Sequence, residues 1–489
     1  MITYHPRPHP AGNGHRWLIF VISGLLLLPC FWHKRIEAGD LASHTYNAWL
    51  AQLIERGQAP GLYIAHQWNN VLVDVALLRL GNAVGLAAAE KIVVSVCVLT
   101  FFWGAFAFIS AATDRRPWVL APGIAMIAYG WTFHMGFMNY YLSLGLAFWA
   151  GALFWRGRRT DFALGLFLGV LVMLAHPLGL LWLVGSTAYI KAAEKLSGRY
   201  RWIPFALALL CIVALHYYVI RFRTEYWDTR YFLLLNGANQ LALFSKRYLY
   251  LMGVVLIFGI ACFIHGVVTE RKSIHARHFR TALELWAVLI FMAAVIPEVV
   301  WLPQYAGPVG MIVARLTSVT AVLGLCLLSS VPPKKWHLAG LAACGIVFFA
   351  WIYQDTGELN RMEQQADELL SHLPYGRRVV ETIWAPPESD IPFIDHIVDR
   401  ACIARCFAYA NYEPSSGQFR IRVRPGSPVV TDVAGATEQM ESGEYIVQAS
   451  DLPMTQIYQC GAKELTQLCA RDLQAGEANG RLGYHPPKD

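Results

Sequence analysis

The sequence predicts a mostly α-helical, polytopic membrane protein, with a transmembrane helical bundle over residues 1–353 and a small extracytoplasmic α/β domain over residues 354–489. Two observations predict this fold class. Charged residues make up 15% of the 489 residues and hydrophobic residues 56%, with a mean hydropathy of +0.39, whereas globular chains carry about 25% charged residues. Long apolar runs also follow one another up to residue 353, and the chain beyond is polar and rich in proline.

Eleven apolar segments are predicted to span the membrane, because each approaches the length of about 20 residues that a straight spanning helix needs. Two of them are separated by His176-Pro177 and form either a short hairpin or one kinked unit. The first is followed by Lys34 and Arg35 instead of a small-residue cleavage site, so we expect it to be retained. The predicted spans are residues 17–33, 89–112, 117–134, 137–155, 162–176, 178–191, 202–220, 248–268, 282–301, 309–330 and 336–353.

The basic residues cluster in short loops between these spans, which is the charge bias that orients inserted proteins. The net charge of +7 therefore indicates a lipid bilayer as partner and no nucleic acid. With a cytoplasmic N-terminus, the loops at 134–138, 176–178 and 302–308, which hold no Lys or Arg, lie outside, and the long loop 221–247 is an exception. An odd number of spans then places residues 354–489 outside a bacterial-type inner membrane.

The region between the first two spans is predicted to carry two helices that lie in the membrane interface, within residues 41–88. Leu41 to Ile54 has apolar residues at helical spacing beside polar positions. Trp68 to Leu86 is mostly apolar but carries Asp74 and Arg79.

The C-terminal segment has the mixed pattern of a small α/β domain, with three predicted strands and three predicted helices. It holds four cysteines, and we expect at least one disulfide among them, since disulfides persist outside the cytoplasm. Cys460 and Cys469 are close enough in sequence for a local bridge, whereas Cys402 and Cys406 at i, i+4 on one helix are awkward to join, so a cross-pairing stays open. The predicted strands are 377–384, 418–424 and 444–448, and the predicted helices are 355–370, 394–407 and 463–473.

Asp40 is the first candidate catalytic residue, because it places a carboxylate at the membrane boundary just after the first span. It can cap the helix that begins near Leu41, act as a general base, or do both. His44 lies one helical turn further on the same face and either orients Asp40, contacts a phosphate or is an interfacial histidine. Asp74, on the second interface helix, is either a further base or a partner for a nearby arginine.

Arg315 is the first candidate for substrate binding, because it stands about two turns inside a predicted span. A charge there is costly and faces a cavity or a partner. An arginine can hold a phosphate with two parallel hydrogen bonds, and the alternative is a structural pair with Glu298.

The outer turn between the third and fourth predicted spans carries His134, Asn139 and Tyr140. These residues either line a site or serve as a helix cap and as interface aromatics. His176, on the same side, either joins the site or bonds a backbone carbonyl freed by the proline that follows it.

Arg221, Arg223 and Arg230 lie among aromatic residues in the long outer loop. This composition suits an anionic headgroup and a sugar stacked on aromatic rings, and it equally suits a general lipid-headgroup patch. The chain has no Walker loop, no Gly-x-Gly-x-x-Gly after a strand, no His-Glu-x-x-His and no zinc-type cysteine set, which disfavours a nucleotide-driven pump or a nucleotide-sugar site.

Together these features resemble the GT-C glycosyltransferases, polytopic enzymes such as protein mannosyltransferases and aminoarabinose transferases that use polyprenyl-phosphate sugars. The resemblance covers residues 17 to about 330 and is carried by Glu37-Ala-Gly-Asp40, by the two interface helices and by Gly136-Phe-Met-Asn-Tyr-Tyr-Leu-Ser-Leu-Gly145. Residues 411–420 are similar to a stretch of uncharacterised bacterial membrane proteins, which implies no activity.

The resemblance implies that Asp40 is the first-loop carboxylate that serves this family as base or as metal-linked acid. The usual adjacent acidic pair is missing, and Glu37 stands three residues earlier, so the base is Asp40, Glu37 or Asp74. The family has metal-dependent and metal-independent members, so no cofactor is certain and a divalent metal stays an option.

The implied reaction is inverting transfer of a sugar from a polyprenyl-phosphate donor to a glycan, lipid or protein acceptor on the outer face of the membrane. Two other classes stay open. A lipid or solute transporter or flippase would carry its charges near the bilayer midplane, and a non-catalytic envelope assembly protein would tolerate loss of Asp40.

Overall fold

Helices make up most of the chain in the computed structural model, which describes residues 13–196, 198–226, 236–269, 277–305, 307–383, 396–433, 435–460 and 467–483. Six helices are long and apolar enough to cross a membrane: Leu86–Thr113, Trp202–Val219, Lys246–Thr269, His278–Val295, Ile312–Ser329 and Lys335–Leu370. This confirms a mostly helical protein with membrane-compatible helices. The count of eleven spans and their orientation stay predictions.

Each predicted apolar segment contains helix, but two differ from the prediction. The segment 282–301 is helical only to Val295 and ends in the strand Val299–Trp301. The segment 117–134 is divided into α5 (Ala121–Ala128) and α6 (Trp131–His134) at Gly130, where the backbone packs against the carbonyl of Gln240. The longer helices are α1 (Asn13–Phe31), α4 (Leu86–Thr113), α7 (Met138–Arg156), α8 (Arg159–Ala175), α9 (Pro177–Lys195), α10 (Trp202–Val219), α11 (Lys246–Thr269), α12 (Arg277–Val295), α13 (Ile312–Ser329) and α14 (Lys335–Leu370).

The closest helix crossing joins α4 to α7, and it depends on two glycines. A Cβ on Gly104 would lie 2.4 Å from the carbonyl oxygen of Gly145, and a Cβ on Gly145 would lie 2.7 Å from the amide nitrogen of Phe101. Small residues let helix backbones approach in this way. The stacked rings of Phe101 and Tyr141, 4.6 Å apart, fill the space beside the crossing.

The first predicted interface helix, α2 (Leu41–Glu55), is buried inside the protein, and its position relative to a membrane stays a prediction. Every residue from Leu41 to Leu53 is buried. The C-terminal domain covers the helix: the amide of Ala408 donates to the hydroxyl of Tyr46 at 2.9 Å, and Trp49 packs on Phe407. The second, α3 (Leu72–Val84), begins four residues later than predicted and buries only one face.

The predicted domain boundary at residue 353 falls inside α14, which continues unbroken for 36 residues. Hydropathy drops after Tyr353, but a fall in hydropathy does not end a helix when no proline follows. The last apolar span and the first helix of the C-terminal domain are therefore one element.

The C-terminal domain contains a four-stranded sheet of order β5-β4-β7-β8, built from β4 (Arg377–Thr382), β5 (Cys406–Ala408), β7 (Met454–Gln459) and β8 (Leu468–Leu473). The β4 strand pairs in parallel with β5 and β7, and β8 pairs antiparallel with β7. The short strand β6 (Ile421–Val423) pairs instead with β1 (Leu62–Ile64) of the bundle. A further two-stranded antiparallel sheet pairs β2 (Arg223–Glu225) with β3 (Val299–Trp301).

Three sequence predictions for this domain are wrong. The segment 463–473, predicted as helix, contributes β8, because pairing with β7 decides the conformation of a short segment of ambiguous period. The segment 444–448 forms an isolated bridge through Ile446 and no strand. The helix predicted at 394–407 shrinks to α15 (Ile397–Ala401) and is followed by β5.

The predicted disulfide is confirmed, and there are two bridges, Cys402–Cys406 and Cys460–Cys469. Because α15 ends at Ala401, the first pair joins Cys402, at the end of α15, to Cys406, the first residue of β5, and does not lie on one helix. The geometric objection to that pairing therefore disappears.

Buried ion pairs hold the C-terminal domain to the bundle. The guanidinium of Arg400 lies 3.4 Å from Glu363 and 3.5 Å from Glu90, and it donates to the carbonyl of Ile36 at 2.9 Å. Arg35 pairs with Glu363 at 3.1 Å and also with Asp367. We call this set the junction cluster: Arg35, Glu37, Glu90, Glu363, Asp367 and Arg400.

Candidate functional site

Asp40 occupies the N-cap position of α2, but its side chain makes no capping hydrogen bond. Its backbone is held by the turn before α7, where the Asp40 amide donates to the carbonyl of Met135 at 3.2 Å. Gly136 adopts a φ of +78°, and a Cβ there would lie 2.4 Å from the Asp40 amide nitrogen. Only glycine fits this approach without strain, so the Gly-Phe-Met-Asn-Tyr stretch fixes the backbone of the candidate base.

His44 connects two further carboxylates to the site. Its Nδ1 lies 2.9 Å from Asp74 Oδ1 and 3.4 Å from Glu413 Oε1. Asn139 orients Asp74, because its side-chain amide donates to Asp74 Oδ2 at 3.0 Å while its carbonyl oxygen accepts from the amide of Val73 at 2.8 Å. One residue each from α2, α3, α7 and the C-terminal domain therefore meet here.

Burial and neighbouring charge shift the pKa of His44 in opposite directions, and the same is true of Glu413. Burial lowers the pKa of His44, but the Asp74 carboxylate outweighs it and raises the pKa to about 9. Burial raises the pKa of Glu413 to about 8, against the opposing charge of His44. At neutral pH the arrangement holds the imidazolium of His44 beside the protonated carboxyl group of Glu413.

A second histidine, His396 of the C-terminal domain, lies close to Asp40. His396 Nε2 lies 3.6 Å from Asp40 Oδ1, and His396 Nδ1 lies 3.2 Å from Asp399 Oδ2. The ring of Tyr412 packs on the imidazole with centroids 5.1 Å apart. Burial raises the pKa of Asp40, but the contact with His396 outweighs it and brings the pKa below its usual value.

Arg315, in α13, contributes a positive charge to the site beside Asp40. Its guanidinium lies 4.1 Å from the centroid of the Phe137 ring, and its Nε has no hydrogen-bond partner among the residues that the structure describes. The hydroxyl of Tyr140 donates to the Arg315 carbonyl at 2.7 Å. Glu298, the alternative partner, accepts hydrogen bonds from backbone amides in the first turn of α13. The guanidinium therefore keeps hydrogen-bonding capacity for a ligand.

Two adjoining cavities of about 560 Å³ and 610 Å³ meet at Asp40, Phe137 and Arg315. The first cavity extends past His44, Asn139, Tyr140, His176, Trp68 and Arg422. The second cavity extends past His396, Tyr412, Trp301, Glu438 and Glu441. The carboxylate of Asp40 and the guanidinium of Arg315 therefore lie where a ligand in the first cavity would contact a ligand in the second.

Most of the predicted site residues converge here. Asp40, His44, Asn139, Tyr140, His176 and Arg315 line the first cavity, and Asp74 contacts His44 behind its wall. His176 also caps α9, because its Nδ1 accepts from the amide of Leu178 at 3.2 Å. The structure therefore gives His176 a backbone role and a place at the cavity together.

Five predicted residues lie elsewhere. Glu37 and His134 line neither cavity: the Nδ1 of His134 bonds the Glu37 carbonyl at 3.2 Å, and the Glu37 side chain is buried in the junction cluster. Arg221 is exposed outside both cavities. Arg223 also lies outside them and stacks at 4.2 Å on Trp301, which lines the second cavity. Arg230 falls outside the described residues.

Sequence reasoning missed the contribution of the C-terminal domain, chiefly Glu413, His396, Asp399 and Tyr412. A signal was present in the polar stretch 411–420, which had been assigned no role. Asn411 at its start donates to the side chain of Asn47 at 2.9 Å and accepts from the amide of Glu413, so the stretch docks on α2 and delivers Glu413 to His44.

No protein-family model, no curated protein and no solved structure matches this chain. The fold and the six membrane-compatible helices define a helical membrane protein whose candidate site lies between its bundle and its C-terminal domain. The resemblance to the GT-C glycosyltransferases stays a prediction.

Proposed function

We propose that this protein is an integral membrane glycosyltransferase that moves a sugar from a polyprenyl-phosphate donor to an acceptor on the outer face of the membrane. The observation that carries the proposal is the pair of cavities that share Asp40 and Arg315. Transfer between two substrates needs two binding sites that meet at one base and one group that stabilises the leaving charge.

The charges that line the two cavities support the assignment of the donor to one cavity and of the acceptor to the other. The first cavity holds Arg315, Arg422 and the imidazolium of His44 beside Asp40, whereas the second also holds Glu438 and Glu441. A phosphate binds best where the cations are concentrated, so the donor phosphate occupies the first cavity at Arg315. The acceptor enters through the second cavity, whose wall includes the aromatic ring of Trp301.

The reaction follows from these positions. The Asp40 carboxylate takes the proton of an acceptor hydroxyl as that oxygen attacks the anomeric carbon. The new bond joins the acceptor oxygen to the anomeric carbon, and the bond from that carbon to the phosphate oxygen breaks. Its electron pair leaves with the polyprenyl phosphate, whose charge Arg315 stabilises. Attack from the side opposite the phosphate inverts the anomeric configuration.

The topology that suits this reaction has eleven spans, a cytoplasmic N-terminus and an extracytoplasmic C-terminal domain. Two disulfides in that domain support an oxidising compartment. Reporter fusions after Trp155 and after Tyr353 should read cytoplasmic and external, and both reading the same side would overturn the topology.

The central experiment measures transfer of label by detergent-purified protein from a panel of polyprenyl-phosphate hexoses and pentoses. Asp40→Asn keeps the size of the side chain and should lower the rate by about 10²–10⁴-fold, the usual effect of losing a general base. Arg315→Ala should weaken binding of polyprenyl phosphate, measured by calorimetry, because it removes a charge-assisted contact.

The matched control is Glu37→Gln, which alters a neighbouring carboxyl group that lines neither cavity. Its rate should equal that of the wild type. Unchanged turnover by Asp40→Asn would move the role of base to Asp74, tested by Asp74→Asn. Full activity in both aspartate variants would remove the enzyme proposal in favour of a transporter or an assembly protein.

A further inference from the structure

We infer that Glu381, His396 and Glu441 form a divalent-cation site in the wall of the second cavity. One ligand atom from each of these residues lies within 4.8 Å of the other two. The three come from the end of β4, the start of α15 and the end of α17 (Ala436–Glu441). All lie in the C-terminal domain, beyond the part of the chain that resembles the GT-C enzymes.

Charge is the first argument for a cation. His396 is flanked by Asp40 and Asp399 as well as by the two glutamates, so four carboxyl groups surround one imidazole. Glu381, His396 and Asp399 are all buried. Buried charges in proteins are paired or coordinate metals, and an imidazole surrounded by carboxyl oxygens is a donor set that suits a divalent cation.

Asp399 provides an independent argument. It is 2% exposed, and its Oδ2, which points at His396 Nδ1 from 3.2 Å, has no hydrogen-bond partner within the described part of the chain. A metal-bound histidine almost always directs its other ring nitrogen at a carboxylate or carbonyl oxygen, which fixes the ring. Asp399 therefore orients the imidazole so that Nε2 faces the cation and Asp40.

The two glutamates differ in how firmly their side chains are held. Glu381 is held rigidly, because its carboxylate oxygens accept from the amides of His396 at 2.9 Å and Val398 at 3.1 Å. Glu441 is only partly buried and lines the second cavity, so a change of side-chain rotamer can bring it to bonding distance. A bound cation would therefore have Glu381 and His396 as ligands in fixed positions, and Glu441 as a third ligand that moves to reach it.

The ligand set indicates which ions bind. One imidazole with two carboxylates suits Mn²⁺ or Zn²⁺ better than Ca²⁺ or Mg²⁺, which prefer oxygen alone. Because His396 and Glu441 face the cavity, the ion keeps a coordination position open to an oxygen atom there. This position adjoins Asp40 at the second cavity, where the proposed acceptor would lie.

The test uses the detergent-purified full chain after treatment with a chelator. Binding of Mn²⁺ is followed by the electron paramagnetic resonance signal of the free ion, and binding of Zn²⁺ by calorimetry. We expect one ion per chain, and at least a tenfold weaker affinity in Glu441→Gln. The matched control is Glu438→Gln, which lies on the same helix and the same cavity but outside the ligand group and should bind like the wild type.

Three results would overturn the inference: no saturable binding by the wild type at 1 mM free ion, equal loss in both variants, or no loss in either. Size-exclusion profiles of both variants check that they stay folded, and His396→Gln supplies a second variant that should also lose the ion. Because binding is measured without any sugar donor, failure of the transferase proposal leaves this result unaffected, and the reverse holds too.

Discussion

Two clusters of buried charge lie where the bundle meets the C-terminal domain, and they differ in what surrounds them. In the junction cluster, Arg400 and Arg35 bridge carboxylates from α4 and α14, and neither arginine lines either of the two cavities at Asp40. In the site around Asp40, the charges come from as many elements, but they open onto two cavities. Burial of charge alone therefore does not mark a functional site.

The quality of pairing separates the clusters further. Arg400 lies within 3.5 Å of two carboxylates and donates to a backbone carbonyl, whereas Asp40 meets His396 only at 3.6 Å and the guanidinium of Arg315 lies against the ring of Phe137. A group already paired in the folded protein holds it together. A group left with spare capacity can act on a ligand.

The largest effect should come from breaking the junction cluster. Arg400→Ala leaves Glu363 and Glu90 buried without this partner, and breaking a buried pair costs about 3–5 kcal/mol. We expect a marked fall in the unfolding temperature in detergent. Asp40→Asn, measured alongside, should change the free energy of unfolding by less than about 1 kcal/mol, since the Asp40 side chain makes no capping bond. Equal destabilisation by both would erase the distinction.

Gly136→Ala should disturb the site through the backbone. The new Cβ would press on the Asp40 amide at 2.4 Å, at a φ of +78°, and strain of this kind costs about 1–3 kcal/mol. We expect both a lower unfolding temperature and a lower transfer rate. Gly24→Ala is the control, because a Cβ there meets nothing within 4 Å, and a wild-type rate for Gly136→Ala would show that Asp40 does not depend on this turn.

The pH dependence of stability gives a smaller effect, and its sign is fixed by Glu413 and His44. Their pKa values in the folded protein are raised to about 8 and about 9, so the folded state binds more protons than the unfolded state below those values. The contribution of His44 is complete below about pH 6.5, its unfolded pKa, and is lost as the pH rises through 9. Stability should therefore fall from pH 6 to pH 9.

Glu413→Gln copies the protonated carboxyl group and should flatten this fall between pH 6 and 8, as measured by unfolding temperature. A slope as steep as that of the wild type would show that Glu413 does not take up the proton. The charged or titratable groups that face Glu413 are His44, Asp74, Asp40 and His396.

The smallest effect should come from Glu37→Gln. Burial, reinforced by the charge of Glu363, raises the pKa of Glu37 well above its usual value, so glutamine resembles the form present at neutral pH. We expect the free energy of unfolding at pH 7 to change by no more than about 0.5 kcal/mol. A large loss would mean that Glu37 is ionised and belongs to the ion pairs of the junction cluster.

Local pattern predicted much of the bundle and half of the site. Apolar runs located the helices, and the costly position of Arg315 within one of them pointed to a cavity. The burial of α2 could not be predicted, because the helix is covered by the bundle and by the C-terminal domain, which are both distant in sequence. Amphipathic pattern reports a difference between two faces and does not report what covers each.

The rest of the site could not be predicted, because it depends on contacts between distant parts of the chain. Ser43 and Glu413 form a hydrogen bond across 370 residues of sequence, and His396 reaches Asp40 from another loop. No spacing connects such residues in a single sequence. Glu37 shows the converse. It is close to Asp40 in the sequence, but its side chain is buried in the junction cluster and lines neither cavity.

The unbroken course of α14 sets the distance between its first residue and the loop before Asp40. Asn360 bonds the backbone of Arg35, and it stands twenty-five residues after Lys335, about 37 Å along the helix axis. The hydrocarbon core of a bilayer is about 30 Å thick. On the proposed topology, in which α14 crosses the membrane from Lys335, a helix of this length would hold the loop before Asp40 at the depth of the lipid headgroups.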